Sequence, residues 1–207
     1  MWPSLENVLR LHPDKNAEEV FRENDFLSGD GMQTAIFGPP FWFTIHLVSF
    51  NYPVNPTEDD KRRYKKWLKA TGRILPCRYC RENFERNFAD TILFMQNAYG
   101  IDRRDTQFYL KNRDMFSRFC YHLHDTVNTM LQKPTPMCFE TLRTQYETMR
   151  SRCLTAEEET AAREKGEAGC TQPLHAAQKG KCVISIVPRS EEREGLIISE
   201  ECRVRRK

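Results

Sequence analysis

The 207-residue chain has room for one domain of roughly 100–150 residues with segments to spare at either end. Charged residues make up 29% of it and the formal net charge is only +3, a balance that excludes a dedicated nucleic-acid binder. No apolar run approaches the roughly 20 residues of a membrane span, and Met1-Trp2-Pro3-Ser4-Leu5-Glu6 lacks the basic-then-apolar order of a signal peptide, so neither a membrane nor secretion is expected.

Residues 1–35 read as a polar, irregular leader broken by Pro3, Pro13, Gly29 and Gly31. Within it, His12-Pro13-Asp14-Lys15-Asn16 resembles the loop of J-domain co-chaperones. Only eleven residues precede it, too few for the helix that such a domain needs, so a chance match is the better reading.

The first helix signal runs from Pro39 to Phe50, entered at Gly38 and the two prolines and closed by Pro53 and Pro56. Trp42, Ile45, His46 and Ser49 step along one face, which reads as core and also as a stacking wall for a planar ligand. A second helix is expected over Thr57–Leu75, capped by Thr57 with Asp60 and carrying a basic, solvated outer face. A third begins at Cys77 and Cys80 and runs through Phe88, with residues 89–112 ambiguous and a turn expected near Gly100. The fourth, Arg113–Leu131, has the clearest stripe: Phe116, Phe119, Cys120, Leu123, Val127 and Met130, flanked by His124 and Asn128. Cys120 on that stripe reads as an inert packed thiol. A fifth, short helix is expected over Phe139–Arg150. From Thr155 onward no apolar period is sustained, and Val183–Val187 and Leu196–Ile198 are the only candidate strands of a charged extension.

Leu75-Pro76-Cys77-Arg78-Tyr79-Cys80 is the chemical centre of the chain. Without a signal peptide, eight cysteines point to metal binding or redox chemistry rather than structural disulfides. A zinc-stabilised helical adaptor needs two further ligands, and His122 and His124 lie about 200° apart on a helix, so they cannot chelate one ion together. The redox reading gains from the helix N-terminus and from Arg78 and Arg81, all of which favour a thiolate. The flanking segments are helical rather than stranded, which argues against a thioredoxin fold, and no Gly-rich dinucleotide fingerprint is present. An electron-accepting cofactor would then lie between helices, on the Trp42/His46 and His124/Asn128 walls.

These residues resemble the Erv/ALR flavin-dependent sulfhydryl oxidases, with the wording of homologues encoded by large DNA viruses. Phe37–His46 resembles the G-x-x-x-W-x-x-x-H block and Tyr52-Pro53 its following Y-P; Leu75–Cys80 resembles the P-C-x-x-C active site. His122–Asn128 with Leu131–Pro134 resembles H-N-x-V-N and L-G-K-P, and Cys138 and Cys153 the long-range structural disulfide. Asp125 replaces an asparagine, Gln132 a glycine, and Tyr146 stands where a tryptophan is common.

The resemblance covers about residues 36–153 and implies an all-α four-helix bundle with an additional short helix, FAD at its mouth, and commonly a homodimer. A domain over 36–154 and a cysteine-containing extension over 155–207 follow. It implies oxidation of protein dithiols, with electrons passing through Cys77 and Cys80 to FAD and on to oxygen, giving hydrogen peroxide. Cys80 would be the flavin-proximal cysteine and Cys77 the one that meets substrate. Gly38, Trp42, His46, Tyr52, His124, Asn128, Lys133 and Tyr146 would contact FAD, with His122 a weaker candidate. Cys170 and Cys182 would be a shuttle pair, with Cys202 left over. A viral enzyme would act in the host cytoplasm or virion; the mitochondrial intermembrane space is the rival location.

Overall fold

The computed structural model describes residues 30–134, 137–166, 169–175, 178–193 and 195–203. The HPD-containing leader segment lies outside these residues. Helix α1 spans Thr34–Phe50, α2 Glu58–Arg73, α3 Arg78–Tyr99, α4 Arg113–Met130 and α5 Phe139–Glu147, with a 3₁₀ turn at Phe108–Leu110 before α4. The expected bundle and its short fifth helix are present.

Two boundaries differ from expectation. Helix α1 starts at Thr34, not at the prolines, and runs through Pro39 and Pro40. Neither proline has an N–H to donate one turn back, but the affected turn at Ala35 and Ile36 is exposed, where water can take up the spare carbonyls. Helix α3 continues to Tyr99 and ends on Gly100 in the left-handed conformation. Its buried side chains Phe84, Asn87, Phe88, Thr91 and Met95 keep a helical step through the ambiguous stretch. The capping box at the start of α2 forms as expected, Thr57 Oγ1 accepting from Asp60 N at 3.1 Å and Asp60 Oδ2 from Thr57 N at 2.9 Å.

Helices α1 and α3 both run antiparallel to α4. Thr91 meets Thr126 at 3.0 Å and Arg86 reaches Met130 Sδ at 3.8 Å, so rising numbers on α3 meet falling numbers on α4. Likewise His46 contacts His124, while Tyr52 just beyond α1 packs on Phe116. One end of the bundle therefore gathers the starts of α1 and α3 and the end of α4. Gly38, Trp42, Cys80, Asn128 and Lys133 belong to that end.

The core between these helices is aromatic: Phe84, Phe88, Phe108, Tyr109, Phe116 and Phe119 with Leu68, Met95 and Leu123. Helices α2 and α3 approach closely at Gly72, where an added Cβ would lie 2.1 Å from the Phe84 ring. A second cluster seats α5 on α1 through Phe50, Phe139, Leu142 and Tyr146.

The extension is built differently. Ser151–Arg152 (β1) pairs antiparallel with Gln172–Pro173 (β2), and α6 spans Ala156–Glu164 between them, started by a Thr155/Glu158 capping box. Val183–Val187 and Leu196–Ile198 do not form the expected strands. Val183, Ile184, Ile186 and Ile197 stand exposed, so pairing them would bury little on either face. None of the described helices is long and apolar enough to cross a membrane.

Candidate functional site: a disulfide at the mouth of the bundle

Pro76 stops α2 from running into α3 and sets Cys77 in an extended conformation as the N-cap of α3. Its sulfur accepts the Cys80 N–H at 3.1 Å, the place an oxygen of Ser, Thr or Asp usually takes. Cys77 and Cys80 are joined in a disulfide, their Cα atoms 5.2 Å apart. Opening that bond leaves a sulfur at a helix N-terminus, where the macrodipole and unpaired N–H groups favour a thiolate.

The two arginines expected to add charge are partly occupied. Arg78 Nε pairs with Asp30 at 2.9 Å, and Arg81 Nη1 donates to Leu75 O at 2.6 Å, bracing the loop ahead of the disulfide.

The two separate walls read from sequence are one wall. Trp42 and His124 stack with ring centres 4.1 Å apart and planes 8° apart, and His46 Nε2 lies 3.1 Å from His124 Nδ1. Burial pulls the His46 pKa down to about 3, with His124 adding to the effect. Burial likewise lowers His124 to about 4, opposed by Asp125 and helped by Lys133. Both rings are therefore neutral near pH 7, one donating to the other. His46 Nδ1 is buried with no hydrogen-bond partner, and so is Asp125 Oδ1. A wall with unmet polar atoms suits a flat ligand that carries donors and acceptors. The ligand would lie against the outer face of the Trp42–His124 pair, since 4.1 Å leaves no room between the rings.

Asn128 is buried at the end of α4, and the chain turns back there. Lys133 N donates to Asn128 O at 2.8 Å and Gln132 N to Thr129 O at 3.0 Å, a Schellman turn that ends α4 and begins exposed Lys133. Gln132 has φ +55°, which explains why the family pattern has glycine there. At Gly38 an added Cβ would meet nothing within 4 Å, leaving the backbone open to a ligand.

Other predicted contacts lie elsewhere. Tyr52 is fully buried, its hydroxyl donating to Leu110 O at 2.9 Å and its ring against Tyr64 and Phe116; its apolar ring and satisfied hydroxyl make it a core residue rather than part of the wall. Tyr146 is also buried, stacked on Phe50 and 5.6 Å from the His46 ring, so it backs the wall. His122 faces the outside of α4, 3.0 Å from Tyr99 Oη. Cys120 is buried beside Ser49, and burial raises its thiol pKa far above the usual range, as an inert packed thiol requires.

Cys138 and Cys153 are not joined. Both are exposed thiols; Cys138 stands at the N-cap position of α5, its sulfur 3.1 Å from the Thr141 hydroxyl, while Cys153 follows β1 and leads into the extension. Cys170 and Cys182 are exposed, and Cys202 lies near Gly180 rather than beside Cys170. Among the described residues no three His, Cys, Asp or Glu side chains are grouped to hold a metal ion, so the zinc adaptor finds no further ligands there.

The family model described as "Erv1 / Alr family" matches residues 39–147, more than half of the chain and all of this site but Gly38. The chain belongs to the Erv1/Alr family.

Among Erv1/Alr relatives, the probable FAD-linked sulfhydryl oxidase R368 of Acanthamoeba polyphaga mimivirus is 33% identical over 96 residues, 46% of this chain and 57% of that protein. The mitochondrial FAD-linked sulfhydryl oxidase ERV1 of Saccharomyces cerevisiae is 28% identical over 101 residues, 49% of this chain and 46% of that protein. The putative FAD-linked sulfhydryl oxidase 347L of Invertebrate iridescent virus 6 is 28% identical over 99 residues, 48% of this chain and 82% of that protein. The chain thus spans about half the length of the first two. The crystal structure of the yeast Erv1 core superposes with a TM-score of 0.43 at 21% identity, over 65% of this chain and 96% of that one.

Sequence reasoning missed the segment Asp30–Met32, which lies across Cys77. Met32 N donates to Pro76 O at 2.7 Å and Arg78 N to Asp30 O at 2.8 Å. Gly31 was the signal, but read alone it is only a breaker; its partner lies over forty residues away.

Proposed function

We propose that this protein is an FAD-linked thiol oxidase that forms disulfides in protein dithiols. The observation that carries the reading is the helix-capping disulfide Cys77–Cys80 at the bundle end where Trp42, His46 and His124 form one neutral aromatic wall. Its Erv1/Alr relatives are named as FAD-linked sulfhydryl oxidases, which supports the reading.

A substrate thiolate attacks Cys77 Sγ and the Cys77–Cys80 bond breaks, leaving Cys80 as thiolate. The second substrate thiol, deprotonated, attacks the substrate sulfur of the mixed disulfide and releases Cys77. The substrate leaves oxidised, and two electrons remain on Cys77 and Cys80. FAD, held on the Trp42–His124 wall, would supply the acceptor for that electron pair and the route to oxygen, with hydrogen peroxide as product.

Trp42 and His124 would offer the face on which FAD stacks, His46 Nδ1 its unmet hydrogen bond, and Gly38 an unobstructed backbone. Asn128 and Lys133 would contact FAD from the turn that ends α4, with Lys133 suited to a phosphate. Tyr146 would hold His46 in place from behind. Cys170 and Cys182 would relay electrons from bulky substrates to Cys77.

The protein would act as a homodimer, since Leu93, Phe94 and Tyr99 stand exposed along α3 and a second copy would cover them. The host cytoplasm or virion is the preferred setting, in keeping with the viral relatives; the mitochondrial intermembrane space is the alternative. Oxygen uptake with a small dithiol tests the activity. Wild type should consume oxygen and yield peroxide, while Cys77→Ser and Cys80→Ser should fall to background; uptake unaffected by either change would refute the proposal.

A further inference from the structure

We infer that the backbone beside Cys77 is a docking site for an extended peptide, filled in this structure by the chain's own residues 30–32. The inference deepens the proposed oxidase reading by naming how a protein dithiol would be held.

Cys77 is the sulfur assigned to meet substrate, yet Cys77 is only 7% exposed, while Cys80 is the more open of the two. Its cover is a short extended segment. Gly31 and Cys77 form an isolated antiparallel bridge, flanked by the bonds from Met32 N to Pro76 O (2.7 Å) and from Arg78 N to Asp30 O (2.8 Å). This is the pairing by which an extended peptide adds to an exposed strand edge. The edge consists of one acceptor, Pro76 O, and one donor, Arg78 N, placed on either side of the reactive sulfur.

The fit is close. Gly31 has φ +100°, and a Cβ there would lie 2.5 Å from Pro76 O and 2.7 Å from its carbonyl carbon, so only glycine lets the segment lie flat. The clasp is also light. The described contacts that join the two backbone bonds include the Asp30–Arg78 ion pair, with both side chains 63% exposed. Solvent-exposed contacts of this kind open by local fluctuation, without unfolding the bundle.

Lifting the segment frees Pro76 O and Arg78 N together with Cys77 Sγ. An extended substrate segment then takes the same two hydrogen bonds, which holds its cysteine beside the sulfur. One substrate thiolate bonds to Cys77 Sγ as Cys80 leaves; the second displaces Cys77, and the two electrons stay on the cysteine pair. Residues 30–32 thus compete with substrate for one backbone site, and the apparent affinity for a dithiol peptide falls with the fraction of time the site is closed.

The test follows the Cys77–Cys80 disulfide itself, so it needs no turnover. The full-length protein is mixed anaerobically with an unstructured peptide bearing two cysteines, quenched by alkylation and read by mass. Gly31→Ala removes the fit, and Met32→Pro independently removes the N–H that Pro76 O accepts. Both variants should be reduced roughly tenfold faster than wild type. A peptide with N-methylated backbone amides around its cysteines should be several-fold slower than the unmodified one in every variant. Unchanged rates in both variants would overturn the cover, and equal rates for the two peptides would overturn backbone docking. A disulfide that a phosphine opens but no dithiol peptide does would refute the oxidase reading and the site with it.

Discussion

The bundle is rich in aromatic residues while the C-terminal extension, residues 155–207, has no Phe, Tyr or Trp, and the two are held by different forces. In the bundle, Phe116, Phe119, Leu123 and Cys120 are fully buried at steps of three or four residues, so one helix face meets three neighbours. In the extension, α6 and the β1–β2 pair rest on a capping box and on surface ion pairs such as Arg152–Glu158 and Arg163–Glu159. Leu196 packs against the α5 cluster from the later extension. Exposed pairs of this kind each contribute little, so the bundle carries the stability and positions the disulfide.

Core truncation should separate the two regions most strongly. Phe116→Ala should cost about 3–5 kcal/mol, because the ring is packed against Tyr52, Tyr64 and Tyr109. Ile184→Ala in the extension should change stability by less than about 0.5 kcal/mol. Urea denaturation midpoints of the two variants check this, and similar losses would erase the distinction.

Acid sharpens the same contrast through the wall. The folded pKa values of His46 and His124 are depressed to about 3 and about 4, against 6.5 for an ordinary histidine. Protons then bind the unfolded chain first, so the neutral pair's contribution is complete above pH 6.5 and is lost as pH falls toward 4. The slope from both rings is at most about 2.7 kcal/mol per pH unit. Bundle stability measured between pH 7 and pH 5 should fall accordingly, and His124→Asn should flatten the fall.

Gln132 offers a smaller gain at the mouth. Its left-handed conformation is strained for a side chain, so Gln132→Gly should stabilise the protein by about 0.5–1 kcal/mol in thermal or urea melts. The extension should show no stability effect at all when Cys170 and Cys182 are both changed to serine. Oxidation of a folded protein dithiol should slow several-fold while a small dithiol is oxidised at the same rate; equal rates on both substrates would remove the relay.

The bundle was legible because its signals are local. The Phe116–Met130 stripe, the Thr57/Asp60 box and the proline before Cys77 each act within one or two turns. So were the wall residues Trp42, His46 and His124, although nothing in the sequence says that the two histidines share a hydrogen bond. What could not be read depends on distant partners. Tyr52 beside a Pro looks like a site residue until Leu110 O is found to take its hydroxyl. Cys138 and Cys153 have a suggestive separation, but the course of the chain after Met149 decides whether their sulfurs meet. Gly31 carries meaning only once Pro76 is found against it.

We propose that the Cys77–Cys80 disulfide faces a flavin held on the Trp42–His124 wall. The visible spectrum of the purified protein tests it most directly. Wild type should be yellow and release FAD on denaturation, and Cys77→Ser should add a long-wavelength charge-transfer band from the Cys80 thiolate that Cys80→Ser lacks. A colourless protein that takes up no flavin when FAD is added would contradict it.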